Sequence, residues 1–261
     1  MRILLTNDDG IGAEGIAAIR KELLPLGAVT VVAPEHQRSA LSHSITLYSP
    51  LVIREAHDRK NGLRSFAVNG TPVDSVKLAL RELMPEPPDL VVSGINKGLN
   101  TGSNVFYSGT VAAALEASLF RIPAVALSLE NRPRADFRHA ARTAIRLIRQ
   151  ILRRHRAPGT VFNINFPARK PYKGVLVTRQ EQVPFADAYD RRTDLIGRTY
   201  FWIKGNAEHT YRPSQTDGVG GLHSDAWAVS HGYVSITPLK RDLTDRRRLG
   251  SMRTRAQTIR L

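Results

Sequence analysis

Hydrophobic positions in the first two-thirds of the chain follow two alternating patterns. Short continuous apolar runs read as strands buried on both faces: Arg2–Thr6 (RILLT), 28–34 (AVTVVAP), 89–94 (DLVVSG), 122–130 (IPAVALSLE) and 160–167 (TVFNINFP). Between them lie stretches with helical spacing. Residues 13–24 put Ile16, Ile19 and Leu23 on one face, with Pro25 and Gly27 as stop signals. Within 70–83, Thr71 can cap a helix, Pro72 suits its first position, and Asp74 falls near the positive end of the dipole. Val73, Val76, Leu80 and Leu83 would form its buried stripe. Ser108, Gly109 and Thr110 open a helix of small residues. Residues 135–154 predict a long amphipathic helix, with Phe137, Ala141, Ala144, Ile148 and Ile151 inward and Arg138, Arg142, Arg146, Arg149 and Arg153 opposite.

Strands and helices at these spacings predict right-handed βαβ units in a parallel sheet flanked by helices. The texture changes after residue 170. GVLVTR, TYFWIKG and GYVSITP are strand-like, separated by polar and glycine-rich loops such as TDGVGG (216–221), so residues 171–261 read as a β-rich extension on a core of residues 1–170. From Lys240 onward the composition predicts an extended basic arm.

Composition narrows the function classes. No run approaches about 18 apolar residues, so a membrane span is not expected, and the N-terminus reads as strand rather than signal peptide. The chain has no cysteine, which excludes disulfides, thiolate metal sites and a cysteine nucleophile, and cytoplasmic residence is the expectation. The formal charge of +15 favours anionic or phosphorylated partners, or reflects a proteome with arginine-rich surfaces. The arginine face of 135–154 reads as a solvated basic face, with nucleic-acid binding the alternative.

Candidate chemistry follows from position. In an open parallel sheet, ligands collect outside the carboxyl ends of the strands. The first strand delivers Asn7, Asp8, Asp9 and Gly10 there, the second delivers residues 34–44, and DLVVSG delivers Asn96 and Lys97. Adjacent Asp8 and Asp9 are explained by a hard divalent cation such as magnesium, manganese or calcium. The plainer alternative is one helix-capping and one solvated aspartate. Ser108, Gly109 and Thr110 would hold an anion at a helix start, or Ser108 is simply an N-cap. A cation beside a phosphate cradle points to phosphoryl chemistry.

Other architectures fit less well. A receiver domain needs a further aspartate acceptor where this chain offers Asn96, and dehalogenase-type phosphatases space their aspartates by one residue. No P-loop lysine motif and no strand-linked GxGxxG is present. A triad drawn from His36, Ser39, Ser42 and His43 lacks a GxSxG elbow, which leaves the histidines as polar loop groups.

ILLTNDDGI, VVAPEHQRSALSHSIT, VNGTPVDSV, DLVVSGINKGLNTGSNVFYSGTVAAALEA, IPAVALS, NINFP and GYVSITPL together resemble the SurE (survival protein E) nucleotidases, in order and across nearly the whole chain. The resemblance implies a Rossmann-like fold whose C-terminal β-rich extension exchanges between protomers, giving homodimers or homotetramers. It implies one divalent cation per subunit, Mg2+ or Mn2+, held by Asp8, Asp9, Ser39 and Asn96. Asp8, Asp9 and Asn96 would be catalytic, and Ser108, Gly109 and Thr110 would bind phosphate, with Asn100 and Asn104 as further polar contacts. The implied activity is hydrolysis of nucleoside 5'- and 3'-monophosphates, with short polyphosphate as a further substrate. No membrane or nucleic-acid partner is expected. The rival readings are a nucleic-acid-binding protein with a vestigial acidic site and a metal-dependent transferase.

Overall fold

The computed structural model describes residues 1–58, 63–133, 135–155, 157–182, 188–204 and 221–256. Nine strands form one sheet in the order β3-β4-β2-β1-β5-β6-β7-β11-β8. An interior strand, β1 (Arg2–Thr6), lies parallel to β2 (Ala28–Pro34) on one side and β5 (Leu90–Lys97) on the other. The parallel series continues through β6 (Ala124–Leu129) and β7 (Val161–Phe166). Beyond β2 come β4 (Leu63–Val68), parallel to it, and β3 (Ile53–Asp58), antiparallel at the edge. The sequence pattern gave no sign of β3 or β4.

The sheet is covered on both sides, as its apolar strands require. Ile3 and Leu5 of β1 point to one layer, packed with α1 (Glu14–Leu23) and α4 (Phe137–Arg154). Leu4 points to the other, packed with α2 (Pro72–Leu78) and α3 (Gly109–Leu119). On α1, Ile16, Ile19 and Leu23 are buried, and all five expected inward residues of α4 are too. The five arginines opposite them on α4 are exposed. Thr71 and Asp74 form the full capping box of α2. The helix then loosens into a π-turn, Ala79–Leu83. The wider turn rotates the face, so Ala79 is buried, while Leu80 and Leu83 are only half-buried.

Two strands of the C-terminal part join the main sheet: β11 (Val234–Leu239) pairs antiparallel with β7, and β8 (Val175–Val177) pairs with β11. A separate antiparallel hairpin, β9 (Ala188–Thr193) with β10 (Thr199–Lys204), stands apart from it. The short helix α5 (Asp225–Ser230) precedes β11. Of the expected TDGVGG loop, 216–220 lie outside the described residues. The expected extended arm is instead helical, α6 (Arg246–Ala256). Asp245 receives the amides of Arg247 and Arg248, and arginine, leucine, methionine and alanine are good helix formers.

Candidate functional site

The chain reverses direction across the sheet at β1. It runs outward through β2 and β4, then returns to place β5 on β1's other side, so the carboxyl ends of β1 and β5 flank a topological switch point. The side chains converge there because three glycines permit close approach. At Gly15 a Cβ would lie 1.9 Å from the Ile95 carbonyl oxygen, so only glycine lets α1 sit against β5. Gly94 has φ +124° within the irregular register between Ser93 and Asn96. At Gly109 a Cβ would meet Asp8 Cβ at 2.9 Å and Asp8 Oδ2 at 3.1 Å, so glycine brings the start of α3 onto the first aspartate.

Asp8 is 4% exposed, and Thr110 Oγ1 donates to its Oδ1. Burial, with the charge of Asp9 adding to it, pushes its carboxyl up to about 6, against the pull of the Thr110 hydroxyl. Asp9 is half-buried, and the Lys97 amide donates to its Oδ2 at 2.8 Å. Burial raises its pKa too, against the Lys97 amide and ammonium. The local structure therefore disfavours two full negative charges at this corner. Among the described residues the buried Oδ1 of neighbouring Asn7 has no hydrogen-bond partner, while its Nδ2 donates to the Gly10 carbonyl at 2.8 Å.

Asn96 Nδ2 donates to the Gly98 carbonyl at 2.8 Å, which leaves Oδ1 as its ligand-type atom. Ser39 is exposed and accepts from Gln37 Nε2 at 2.9 Å. Its loop is tied to the site by the amide of Arg38, which donates to the Asp8 carbonyl at 2.7 Å. Among the described residues no three of His, Cys, Asp and Glu converge. Any cation here would draw on carboxylate, hydroxyl and amide oxygens, a set suited to hard divalent ions.

Ser108 caps α3, its Oγ accepting from the Val111 amide at 3.0 Å. The capping alternative is thus realised. The amides of Gly109 and Thr110, in the first helical turn, lie beyond reach of any intrahelical carbonyl and give this end its anion preference. The imagined triad does not form. Ser42 Oγ donates to the Phe106 carbonyl at 2.6 Å, and His43 Nε2 lies 2.8 Å from Glu116 Oε2. Asn104 sits half-buried in a single 3-10 segment, Gly102–Phe106.

Asn100 is the hub of a buried hydrogen-bond network. Its Nδ2 donates to Ser128 Oγ at 2.8 Å, its amide donates to Asn165 Oδ1 at 2.8 Å, and its carbonyl accepts from Asn163 Nδ2 at 2.7 Å. This buried network pins the loop that leads to α3 onto β6 and β7. Only the two asparagines interrupting an apolar strand in NINFP hinted at it. Asp225 was also missed. It is fully buried and accepts the amides of Gly102, Glu181 and Ala226.

The family model described as Survival protein SurE matches residues 3–187. The protein named 5'-nucleotidase SurE from Desulforudis audaxviator is 44% identical over 256 residues, covering 97% of this chain and 96% of that protein. Its namesake from Pelotomaculum thermopropionicum is 45% identical over 248 residues, covering 94% and 91%. The crystal structure of the SurE protein from Aquifex aeolicus superposes with a TM-score of 0.81 at 34% identity, covering 97% of this chain and 99% of that one.

Proposed function

The chain belongs to the SurE family, and on that premise we propose that it is a divalent-metal-dependent phosphatase acting in the cytoplasm on nucleoside 5'-monophosphates. The observation that carries the reading is the corner where Asp8, with Asp9 beside it, meets the first turn of α3. Asp8, its pKa raised by burial, lies against a helix start that prefers anions, and Asp9, raised in the same way, stands next to it. Asp8, Asp9, Ser39 and Asn96 would hold the cation. When bound, it would supply charge neutralisation for the phosphate and a water of lowered pKa. Thr110 orients Asp8 through its hydroxyl, and the Lys97 amide orients Asp9. The Gly109 and Thr110 amides would receive phosphate oxygens and stabilise charge as the ester breaks. Ser108 holds that turn in place as its cap.

The reading extends to nucleoside 3'-monophosphates and short polyphosphate. It also treats residues 171–261 as an oligomerisation extension integrated with the 1–170 core and exchanged between protomers of a homodimer or homotetramer. Phe201, Trp202 and Ile203 on the β9–β10 hairpin are each more than half exposed, which supports a partner surface there. Among the described residues no helix is long and apolar enough to cross a membrane. The test is a phosphate-release panel of nucleoside 5'- and 3'-monophosphates and short polyphosphate, each with several divalent metals. Turnover that chelation silences and manganese or magnesium restores supports the reading. Salt-sensitive binding of random-sequence nucleic acid with no monophosphate turnover rejects it.

A further inference from the structure

We infer that the groove on the α1–α4 side of the aspartate pair is the seat of the nucleoside, and that Arg132 is a specificity-determining residue within it. The inference rests on the function proposed above. The groove has a volume of about 870 Å3, within the range of about 300–1,000 Å3 common for small-molecule sites. It opens at Asp9 and Lys97, continues past Gln37, Asn131 and Arg132, and is floored by apolar residues that include Leu129 and Phe137.

The adjacent aspartates face different ways. Asp8 meets the start of α3, on one side of the sheet. Asp9 lines the groove, whose other walls come from α1, the β6–α4 connection and the start of α4 on the opposite side. A phosphate held between the aspartates and α3 would therefore direct its ester substituent over Asp9 into the groove. An apolar floor with a polar rim suits a flat heterocycle joined to a hydroxylated sugar.

Arg132 is positioned there rather than loosely attached to the surface. Its Nε donates to Glu130 Oε1. The other carboxylate oxygen, Oε2, accepts the Ala168 amide at 2.9 Å. The Glu130 side chain is only 17% exposed, while that of Arg132 is 62% exposed. Fixed at Nε, the guanidinium keeps its terminal donors for the carbonyl, ring-nitrogen or hydroxyl acceptors of a nucleoside.

The test is steady-state kinetics, at one saturating divalent metal, on adenosine 5'-monophosphate and on p-nitrophenyl phosphate, an ester whose leaving group has no sugar and no base nitrogen. Arg132→Ala should raise KM for the nucleotide about tenfold, the loss of one charge-assisted contact. Its kcat should stay nearly constant, and the aryl ester should be unaffected. Arg132→Lys should recover part of the loss. Asn131→Trp, which fills the groove from an exposed position, should raise KM for the nucleotide alone. If the wild type cleaves the nucleotide but neither Arg132→Ala nor Asn131→Trp changes its KM, or both change the two esters equally, the groove assignment fails by itself. If the wild type cleaves the aryl ester and no nucleoside monophosphate, the function proposed above fails and takes the groove with it.

Discussion

Two buried aspartates, Asp8 at the end of β1 and Asp225 at the start of α5, are both pushed up to about 6 by burial. Their surroundings differ in where the donors come from. Three backbone amides surround Asp225: Gly102 at 3.0 Å on one carboxylate oxygen, and Glu181 and Ala226 at 3.1 and 2.8 Å on the other. Such an inventory belongs to a structural joint, and it ties the C-terminal part to the loop entering α3. Asp8 is held by the Thr110 hydroxyl together with its own and the Thr110 amides, and like Asp225, which has Glu181 near it, it has a second carboxylate beside it that raises its pKa further. A raised pKa therefore does not by itself mark a site. What separates the two is position: Asp8 lies beyond the carboxyl end of β1, next to Asp9 and the start of α3, whereas Asp225 joins the C-terminal part to the loop entering α3.

The largest expected effect comes from removing charge at the first region. Asp8→Asn or Asp9→Asn should lower kcat/KM for a nucleoside monophosphate by roughly 10³-fold or more, the scale for losing a principal electrostatic contributor. The metal-free protein should remain folded by circular dichroism, with a melting temperature no lower than that of the wild type. A variant that keeps most of its activity would remove Asp8 and Asp9 from the chemistry.

At the second region the balance reverses. Asp225→Ala leaves three buried amides without their acceptor and should cost about 4 kcal/mol in urea unfolding, at about 1–3 kcal/mol for each unsatisfied group with partial relaxation. The activity of the folded fraction should change far less than in the Asp8 variant. Equal losses of activity in the two variants would erase the distinction between them.

That distinction was only half legible in the sequence. Asp8 and Asp9 stood out because they interrupt an apolar strand pattern at its carboxyl end, where the fold class puts ligands. Asp225 gives no such signal, because its partners Gly102 and Glu181 are 123 and 44 residues away. The same holds for Asn163 and Asn165, whose reason is a loop carbonyl more than 60 residues upstream. Local patterns encode which face is buried; they do not encode which distant backbone group a buried polar side chain will meet. The hairpin of β3 and β4 escaped for another reason. Its edge strand, IREAHD, alternates no apolar face, and mixed polar strands carry little periodic signal.

Acid titration gives a sharper contrast. For each aspartate the folded pKa, about 6, exceeds the unfolded value of about 3.9. Between those limits the unfolded state binds fewer protons, so stability is greatest below about pH 4 and falls as pH rises to about 6. The loss is roughly 3 kcal/mol for each group at full effect. Urea midpoints from pH 4 to 7 in a chelator should carry both contributions. Saturating manganese should remove the Asp8 share and leave that of Asp225. If the cation leaves the slope unchanged, it does not bind at Asp8.

The smallest expected effect concerns the turn between the two regions. Ser108 caps α3 through the Val111 amide, and that accounts for its hydroxyl without any ligand. Ser108→Ala should therefore cost about 1 kcal/mol of stability, with kcat/KM falling only a fewfold, because the Gly109 and Thr110 amides remain. Gly109→Ala should do the opposite. Its new Cβ presses on Asp8, while the higher helix propensity of alanine, up to about 1 kcal/mol, offsets much of the strain. Activity should fall more than stability does. If Ser108→Ala were the more damaging to activity, the hydroxyl would be a phosphate ligand and the cap incidental. The pair thus separates helix support from direct contact at the point where the aspartate corner and the Asp225 joint meet through a single loop.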